Sequence, residues 1–323
     1  MTKRNRVLII DALNMYFRAY IVDPSLSSNG QPIGGMKGFL KIFQKTIRET
    51  KPDRIIIAWD GAGGSRKRKT INKGYKEGRK PIRLNRDIRN LSENEEIENK
   101  VWQQTRLVQY LNNMPISQIM LPEIEADDVI AYVTQMPSLR DWDKVIVSND
   151  KDFYQLCDER TILVRPTQKV VLNENRIVEE YGIHPLNFAM ARAIAGDKSD
   201  NLPGVPGVGL PTIAKRLPFL AEGRSVFIEE ILEFCENTEN KLKVHSNILE
   251  HEAAILENYQ IMQLYAPMMS PQAKRSVRFA IDSAEHEFNK TEVIKMMAED
   301  GFGDFSWTDL FSRMRKIVVD NVS

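Results

Sequence analysis

A chain of 323 residues, 42% hydrophobic and 28% charged, can bury one large core or two packed ones and has the make-up of a globular protein. It contains no apolar run of about 18 residues that could span a membrane, its basic start is followed by too short an apolar stretch for a signal peptide, and Cys157 and Cys235 lack metal-ligand spacing, so a cytoplasmic protein with reduced thiols and no membrane partner is expected. The formal net charge of +1 hides a segregation: Arg66, Lys67, Arg68, Lys69, Lys73, Lys76, Arg79, Lys80, Arg83, Arg86 and Arg89 crowd positions 65–90 against Glu77 and Asp87 alone, while carboxylates gather in short motifs elsewhere.

In chain order, β-branched runs at 7–11, 55–60, 116–121 and 145–150 read as strands buried on both faces. Helical patterns at 35–50, 95–113 and 126–135 lie between them. Alternating strands and helices predict an α/β fold with a mostly parallel sheet flanked by helices, and a ligand site outside the carboxyl ends of the strands. The basic stretch between the second strand and the next helix has poor apolar periodicity and is too long for an ordinary connection. Beyond about residue 184 the strand signals stop, and helices are expected at 185–194, 211–217, 225–235, 247–265, 290–299 and 307–317. This divides the chain into an α/β part, 1–183, and a helical part, 184–323.

Three strands end in, or just before, an aspartate: Asp11, Asp60 and Asp150. Asp152 follows Asp150 by two residues, Glu125, Asp127 and Asp128 open a helix, and Asp197 and Asp200 sit three apart in a Gly-led loop. Taken singly, each motif has an ordinary explanation: helix-dipole complementation, an Asp-capped turn or a solvated loop. Together, five stretches would bring nine carboxylates to one edge of the sheet, and their repulsion would force several to protonate unless cations were bound. An all-oxygen set suits Mg²⁺ or Mn²⁺ rather than zinc, and His184, His245, His251 and His286 lie in none of the motifs. Two such ions about 4 Å apart can activate water and stabilise the leaving oxygen of a phosphodiester.

Two further signals point to nucleic acid. Gly204-Val205-Pro206-Gly207-Val208-Gly209, followed by the helix over 211–217 with Pro211 in its first turn, reads as a helix-hairpin-helix at about 186–220. Its glycines allow a tight turn whose amides (Gly207, Val208, Gly209) can hold phosphates without reading bases, with Lys215 nearby. In the basic stretch, Tyr75 offers a stacking ring between cations, and Lys76 and Arg79 are placed to reach a scissile phosphate.

With Asp11 followed by Tyr16 to Tyr20, then Trp59-Asp60, Tyr75-Lys76, Glu125 to Asp128, Asp150 to Asp152, Gly196 to Asn201 and Pro203 to Gly209, the chain resembles the 5′ nuclease (flap endonuclease) family. That family comprises the nuclease domain of bacterial DNA polymerase I and the free-standing phage 5′-3′ exonucleases of ribonuclease H type. The resemblance implies a PIN-like sheet, a helical arch at about 61–100, and a helical C-terminal region carrying the hairpin. It implies Lys76 and Arg79 at the scissile phosphate, and K⁺ at the hairpin. One Mg²⁺ would be served, directly or through water, by Asp11, Asp60, Glu125, Asp127 and Asp128, and a second by Asp152, Asp197 and Asp200, with Asp150 between. The substrates implied are branched or 5′-ended DNA and RNA/DNA hybrid. The chain departs from the polymerase-linked pattern after Gly209, where Leu210 and Pro211 stand in place of a Glu-Lys pair, and its arch is more basic. With no polymerase sequence following, a free-standing monomer is expected, acting in phage-type replication alone or with a replisome or single-strand-binding partner. A PIN-type ribonuclease would show fewer carboxylates and no hairpin. A non-catalytic junction-binding protein would have lost some of the nine.

Overall fold

The computed structural model describes residues 4–88, 91–239, 241–284, 287–303 and 306–322; Arg89 and His286, named above, lie outside them. The chain begins with β1 (Arg6–Asp11), buried at every position after Arg6. It is followed directly by α1 (Ala12–Val22), for which Asp11 is the cap, its carboxylate accepting from the Asn14 amide at 3.2 Å. Then come α2 (Gly34–Thr50), β2 (Arg54–Trp59), α3 (Arg66–Ile71), α4 (Glu93–Asn112), β3 (Ser117–Met120), α5 (Ala126–Thr134) and β4 (Asp143–Val147). The strands 161–165 and 170–172, β5 (Thr161–Arg165) and β6 (Val170–Leu172), complete a six-stranded sheet.

The sheet order is β3-β2-β1-β4-β5-β6, parallel except for the last pair. Ile9 in β1 lies between Ile56 of β2 and Ile146 of β4, so the central strands have no face toward water, as their unbroken apolar runs require. The chain builds outward from β1 to β2 and β3, then returns to start β4 on the other side of β1. This reversal opens a crevice at the carboxyl ends of β1 and β4, where Asp11 and the loop containing Asp150 stand.

The remaining elements are α6 (Glu174–Tyr181), α7 (Pro185–Ala195), a two-residue pair β7 (Gly196–Asp197) and β8 (Leu202–Pro203), α8 (Leu210–Arg216), α9 (Ile228–Asn237), α10 (Lys243–Glu250), α11 (Glu252–Met262), α12 (Pro271–Asp282), α13 (Lys290–Glu299) and α14 (Thr308–Val322). The single helix read over 247–265 is two, broken at His251. The cores do not follow the 183/184 division. One continuous apolar cluster joins Val7, Ile56 and Ile146 of the sheet to Ile194, Ile213, Ile231 and Val277. On the other face, Val293, Leu310, Met314 and Ile317 join Leu8, Phe39 and Leu107. The return of α13 and α14 is fixed by Asp300, which accepts from Arg106 and from the Tyr110 hydroxyl, both at 2.6 Å, and by Lys37 donating to the Phe302 carbonyl at 2.9 Å.

The expected arch is helical only in part. After α3, over 72–88, the chain runs through turns and irregular segments, with Gly78 at φ 72° and Lys76 itself left-handed at φ 58°. Its second limb begins at Ser92, where Ser92 and Glu95 form a reciprocal capping box that starts α4.

Candidate active site

The crevice widens into a cavity of about 430 Å³ lined by Asp11, Asp60, Asp127, Asp150 and Asp200 with Lys76 and Arg79. Each carboxylate is delivered by a different device. Asp11 closes β1 and accepts from the Ser148 hydroxyl at 2.8 Å. The Asp60 carboxylate, just past β2, accepts from the Ala126 amide at 2.7 Å, which ties it to the start of α5, where Asp127 projects. Asp150 follows β4; its amide donates to Ser148 Oγ and its carboxylate accepts from the Asp152 amide at 2.9 Å. Asp200 arrives from the loop between β7 and β8.

Electrostatics at this cluster are unfavourable to its own charge. Burial, with Asp60 and Asp150 nearby, pushes Asp11 up to about 7. Burial and Asp150 do the same for Asp152, also to about 7. Asp127 is raised well above the carboxylate range by burial, Asp150 and Asp11.

Four of the nine carboxylates lie outside the cavity lining, and each is turned to a cation. Glu125 accepts from Lys76 Nζ at 2.7 Å and from the Tyr75 hydroxyl at 3.2 Å, and lies 2.9 Å from Arg68. Burial would raise its pKa, but Arg68 and Lys76 outweigh that and hold it below the usual value. Asp152 and Asp197 share the guanidinium of Arg192, which reaches them from α7. In the cavity itself Arg79 donates to the Asp200 carboxylate and, at 3.1 Å, to the Ser199 carbonyl. Among the described residues no three acidic, histidine or cysteine side chains stand at the spacing of a single ion's ligands.

Asp128 is corrected as a metal ligand. It is 1% exposed, and its two oxygens accept from Arg68 at 2.7 Å and from the Met268 amide at 2.8 Å, on the side of α5 away from the cavity. Arg68 is corrected with it. At 3% exposure, bound to Asp128, Glu125 and the Ile261 carbonyl, it is a buried strut rather than a nucleic-acid contact. Tyr75 is likewise buried, packing on Leu202, Ile261 and Met262 with its hydroxyl on Glu125, so its ring offers no stacking surface. Val208 points into the core and its amide is spent on the Val205 carbonyl at 3.1 Å. Gly207, Gly209 and Lys215 do lie exposed at the hairpin, as do Arg66, Lys69, Lys73, Arg79, Lys80 and Arg83 in the basic stretch. Of these, Arg66 pairs with Glu123, Arg79 with Asp200 and Arg83 with Glu93. Lys67 is half-buried and donates to the Met268 carbonyl at 2.8 Å.

Reasoning from sequence missed Arg192, and also Asn14, Arg18 and Asn149 in the lining. A lone arginine in an apolar helix five residues before Asp197 was the available signal for the first. Asn14, Arg18 and Asn149 carried none beyond adjacency to Asp11 and Asp150.

The donors present fit hard divalent cations. All are carboxylate oxygens, several sit in one cavity, and three are held toward protonation by burial and by the charge of Asp150, a cost that bound cations would offset.

The family described as 5′-3′ exonuclease, N-terminal resolvase-like domain, matches residues 6–182. DNA polymerase I of Bacillus subtilis is 27% identical over 94% of this chain, the match taking in 32% of the polymerase. A 5′-3′ exonuclease of Aquifex aeolicus is 31% identical over 63% of the chain and 66% of that protein. The chain therefore spans about a third of the first relative and under two thirds of the second. Among solved structures, the bacteriophage T5 5′-exonuclease with bound divalent metal ions (zinc) superposes with a TM-score of 0.64 at 17% identity, over 92% of this chain and 98% of that one. A T5 flap endonuclease complexed with DNA and metal ions gives 0.63 at 16%, with the same coverage. These two likenesses concern the fold.

Proposed function

This chain belongs to the 5′-3′ exonuclease family, and from that premise we propose that it is a structure-specific 5′ nuclease hydrolysing phosphodiesters of DNA flaps or RNA primers near single-strand/duplex junctions. The observation that carries the reading is the convergence of Asp11, Asp60, Asp127, Asp150 and Asp200 with Lys76 and Arg79 on one cavity at the switch point of the sheet. Two Mg²⁺ ions are the proposed cofactors, with Mn²⁺ as a substitute. Asp11, Asp60, Asp127 and, once released by Lys76, Glu125 would hold one ion, and Asp152, Asp197 and Asp200 the other, with Asp150 between. When bound, the ions would supply an activated water and charge neutralisation at the leaving oxygen.

The protein's own part is positioning. The tie from Asp60 to the Ala126 amide and from Asp11 to Ser148 fixes the floor of the site. Lys76 stays protonated, because Glu125 and Asp127 outweigh its burial, and is available as a cation for a phosphate oxygen. Arg79 is held cationic in the same way by Asp200. The α7–hairpin–α8 unit, with Gly207 and Gly209 exposed and Lys215 behind them, would grip duplex backbone without base contacts, and is also the proposed place for K⁺. A replication role, monomeric action and a single-strand-binding or replisome partner belong to the same proposal.

The test is a 5′-labelled flap duplex incubated with Mg²⁺ or EDTA. Mg²⁺-dependent cutting near the junction, lost in Asp150→Asn while junction binding in Ca²⁺ is kept, is the expected result. Tight binding without cleavage by the unaltered protein would reduce it to a junction-binding protein.

A further inference from the structure

Outside the cavity and the hairpin, the described surface carries a basic face on α12 that the reading above does not use. Helix α12 buries Val277 and Ile281 against the sheet and turns Arg275, Arg278 and Phe279 outward, Phe279 at 73% exposure. Among the described residues Arg275 and Arg278 make no ion pair or side-chain hydrogen bond, unlike Arg66 and Arg83. Lys274, on the same helix, lies over the Tyr132 ring at 5.5 Å, and Asp282, at the far end of the helix, is the one carboxylate α12 contains.

The helix is anchored at both ends in a way that fixes its course. Just before it, the Met268 amide donates to Asp128 at the start of α5, and the Met268 carbonyl accepts from Lys67 of α3. At its end, Asp282 faces Arg54 at the opening of β2, at the opposite edge of the sheet from the cavity. A helix of 12 residues is about 18 Å long. The Lys67–Met268 contact thus joins the basic stretch, with Lys69 of α3 and Lys73 beyond it exposed, to the start of α12, whose Lys274, Arg275 and Arg278 run down the flank of the sheet.

We propose that the outward face of α12 is a second nucleic-acid contact, a track for single-stranded backbone running on from the basic stretch. Unpaired arginines spaced along one helix face match a chain of phosphates, and an exposed phenylalanine among them supplies a face for a base to stack on, the combination that single strands favour. This rests on the nuclease reading, and it adds a surface that lengthens the contact without touching the chemistry.

The experiment measures binding by fluorescence anisotropy in Ca²⁺, with the full chain and flap duplexes whose 5′ arm is either about two or about twenty nucleotides long. The wild type is expected to bind the long-armed flap more tightly. In Arg275→Glu/Arg278→Glu that gain disappears, and in Phe279→Ala it shrinks. The neutral pair Arg275→Gln/Arg278→Gln should lower the slope of log affinity against log salt for the long arm by about 1.4, two single-strand phosphate contacts. An arm-length gain and salt slope unchanged in these variants, or no arm-length gain in the wild type, overturns the proposal and leaves the face to an acidic protein partner. Mg²⁺-dependent cutting of the short-armed flap by the wild type tests the nuclease reading separately, so the two failures are distinguishable.

Discussion

Arg192 stands on a helix whose other buried side chains are mostly apolar, and its guanidinium is divided between Asp152 and Asp197. Because its side chain is only 12% exposed, removing it leaves two carboxylates facing each other with little solvent to screen them. Arg192→Met should therefore destabilise the protein by about 3–5 kcal/mol in EDTA above neutral pH, the range for breaking a buried pair. Added Mg²⁺ should restore part of the loss, since a cation can replace a cation there. Denaturant melts with and without Mg²⁺ check this; an unchanged midpoint in EDTA would remove Arg192 from its positioning role. The same scale shows what sequence could tell. The carboxylates at Asp11, Asp60 and Asp150 were legible because each ends or closely follows a buried strand. The direction of a side chain in a charge run was not: Arg68 and Lys69 are neighbours in sequence, yet one is a buried strut and the other is exposed. Only the three-dimensional partners, Asp128 and Glu125, distinguish them.

At the scale of elements, the hairpin between α7 and α8 depends on close backbone approach. A Cβ on Gly204 would fall 2.1 Å from the Ala195 carbonyl oxygen, and one on Gly196, at φ 74°, would fall 2.2 Å from the Gly204 amide nitrogen. Gly207 is different: it has φ 76° but open space around it. Gly204→Ala should force the β7–β8 pair apart, carry Asp197 and Asp200 with it, and lower both stability and Mg²⁺ affinity. Gly207→Ala should cost only the left-handed strain, about 1 kcal/mol, and leave Mg²⁺ affinity intact. Thermal melts and calorimetric titration of Mg²⁺ separate the two; equal effects would mean that the clash at Gly204 is absorbed elsewhere. This motif was legible because glycine spacing is a backbone requirement written directly into sequence. The strand β5 was not, although Ile162-Leu163-Val164 is as continuous as the run in β4: it is only partly buried beside the antiparallel edge strand β6, and no carboxylate motif follows it to single it out. Nor was the interruption of the arch, where left-handed Lys76 sits with its amide on the Asp200 carbonyl at 2.9 Å, a long-range contact that overrides local preference.

For the whole molecule, the carboxylate cluster makes stability depend on pH and on cations together. Asp11 and Asp152 rise from 3.8 to about 7 in the fold, and Asp127 is raised as well. The folded form therefore holds more protons than the unfolded chain between about pH 4 and pH 7, and its stability must fall as pH rises through that window. Below it the sign reverses, because Glu125 and Asp197, held under their ordinary values, lose their partners on protonation. In EDTA the melting temperature should thus decline from about pH 5 to about pH 8, and saturating Mg²⁺ should flatten that decline by binding the ionised form alone. Asp150 contributes repulsion to all three raised groups. Replacing it with Asn keeps an acceptor for the Asp152 amide but removes the charge. Asp150→Asn should accordingly melt higher than the wild type in EDTA at about pH 8, by a margin that shrinks toward pH 5 as the neighbours protonate, and it should gain less from Mg²⁺. A variant that melts no higher than the wild type at the upper pH would mean that the carboxylates are already relieved by Lys76, Arg79 and Arg192, and that the cavity needs no bound cation to be stable.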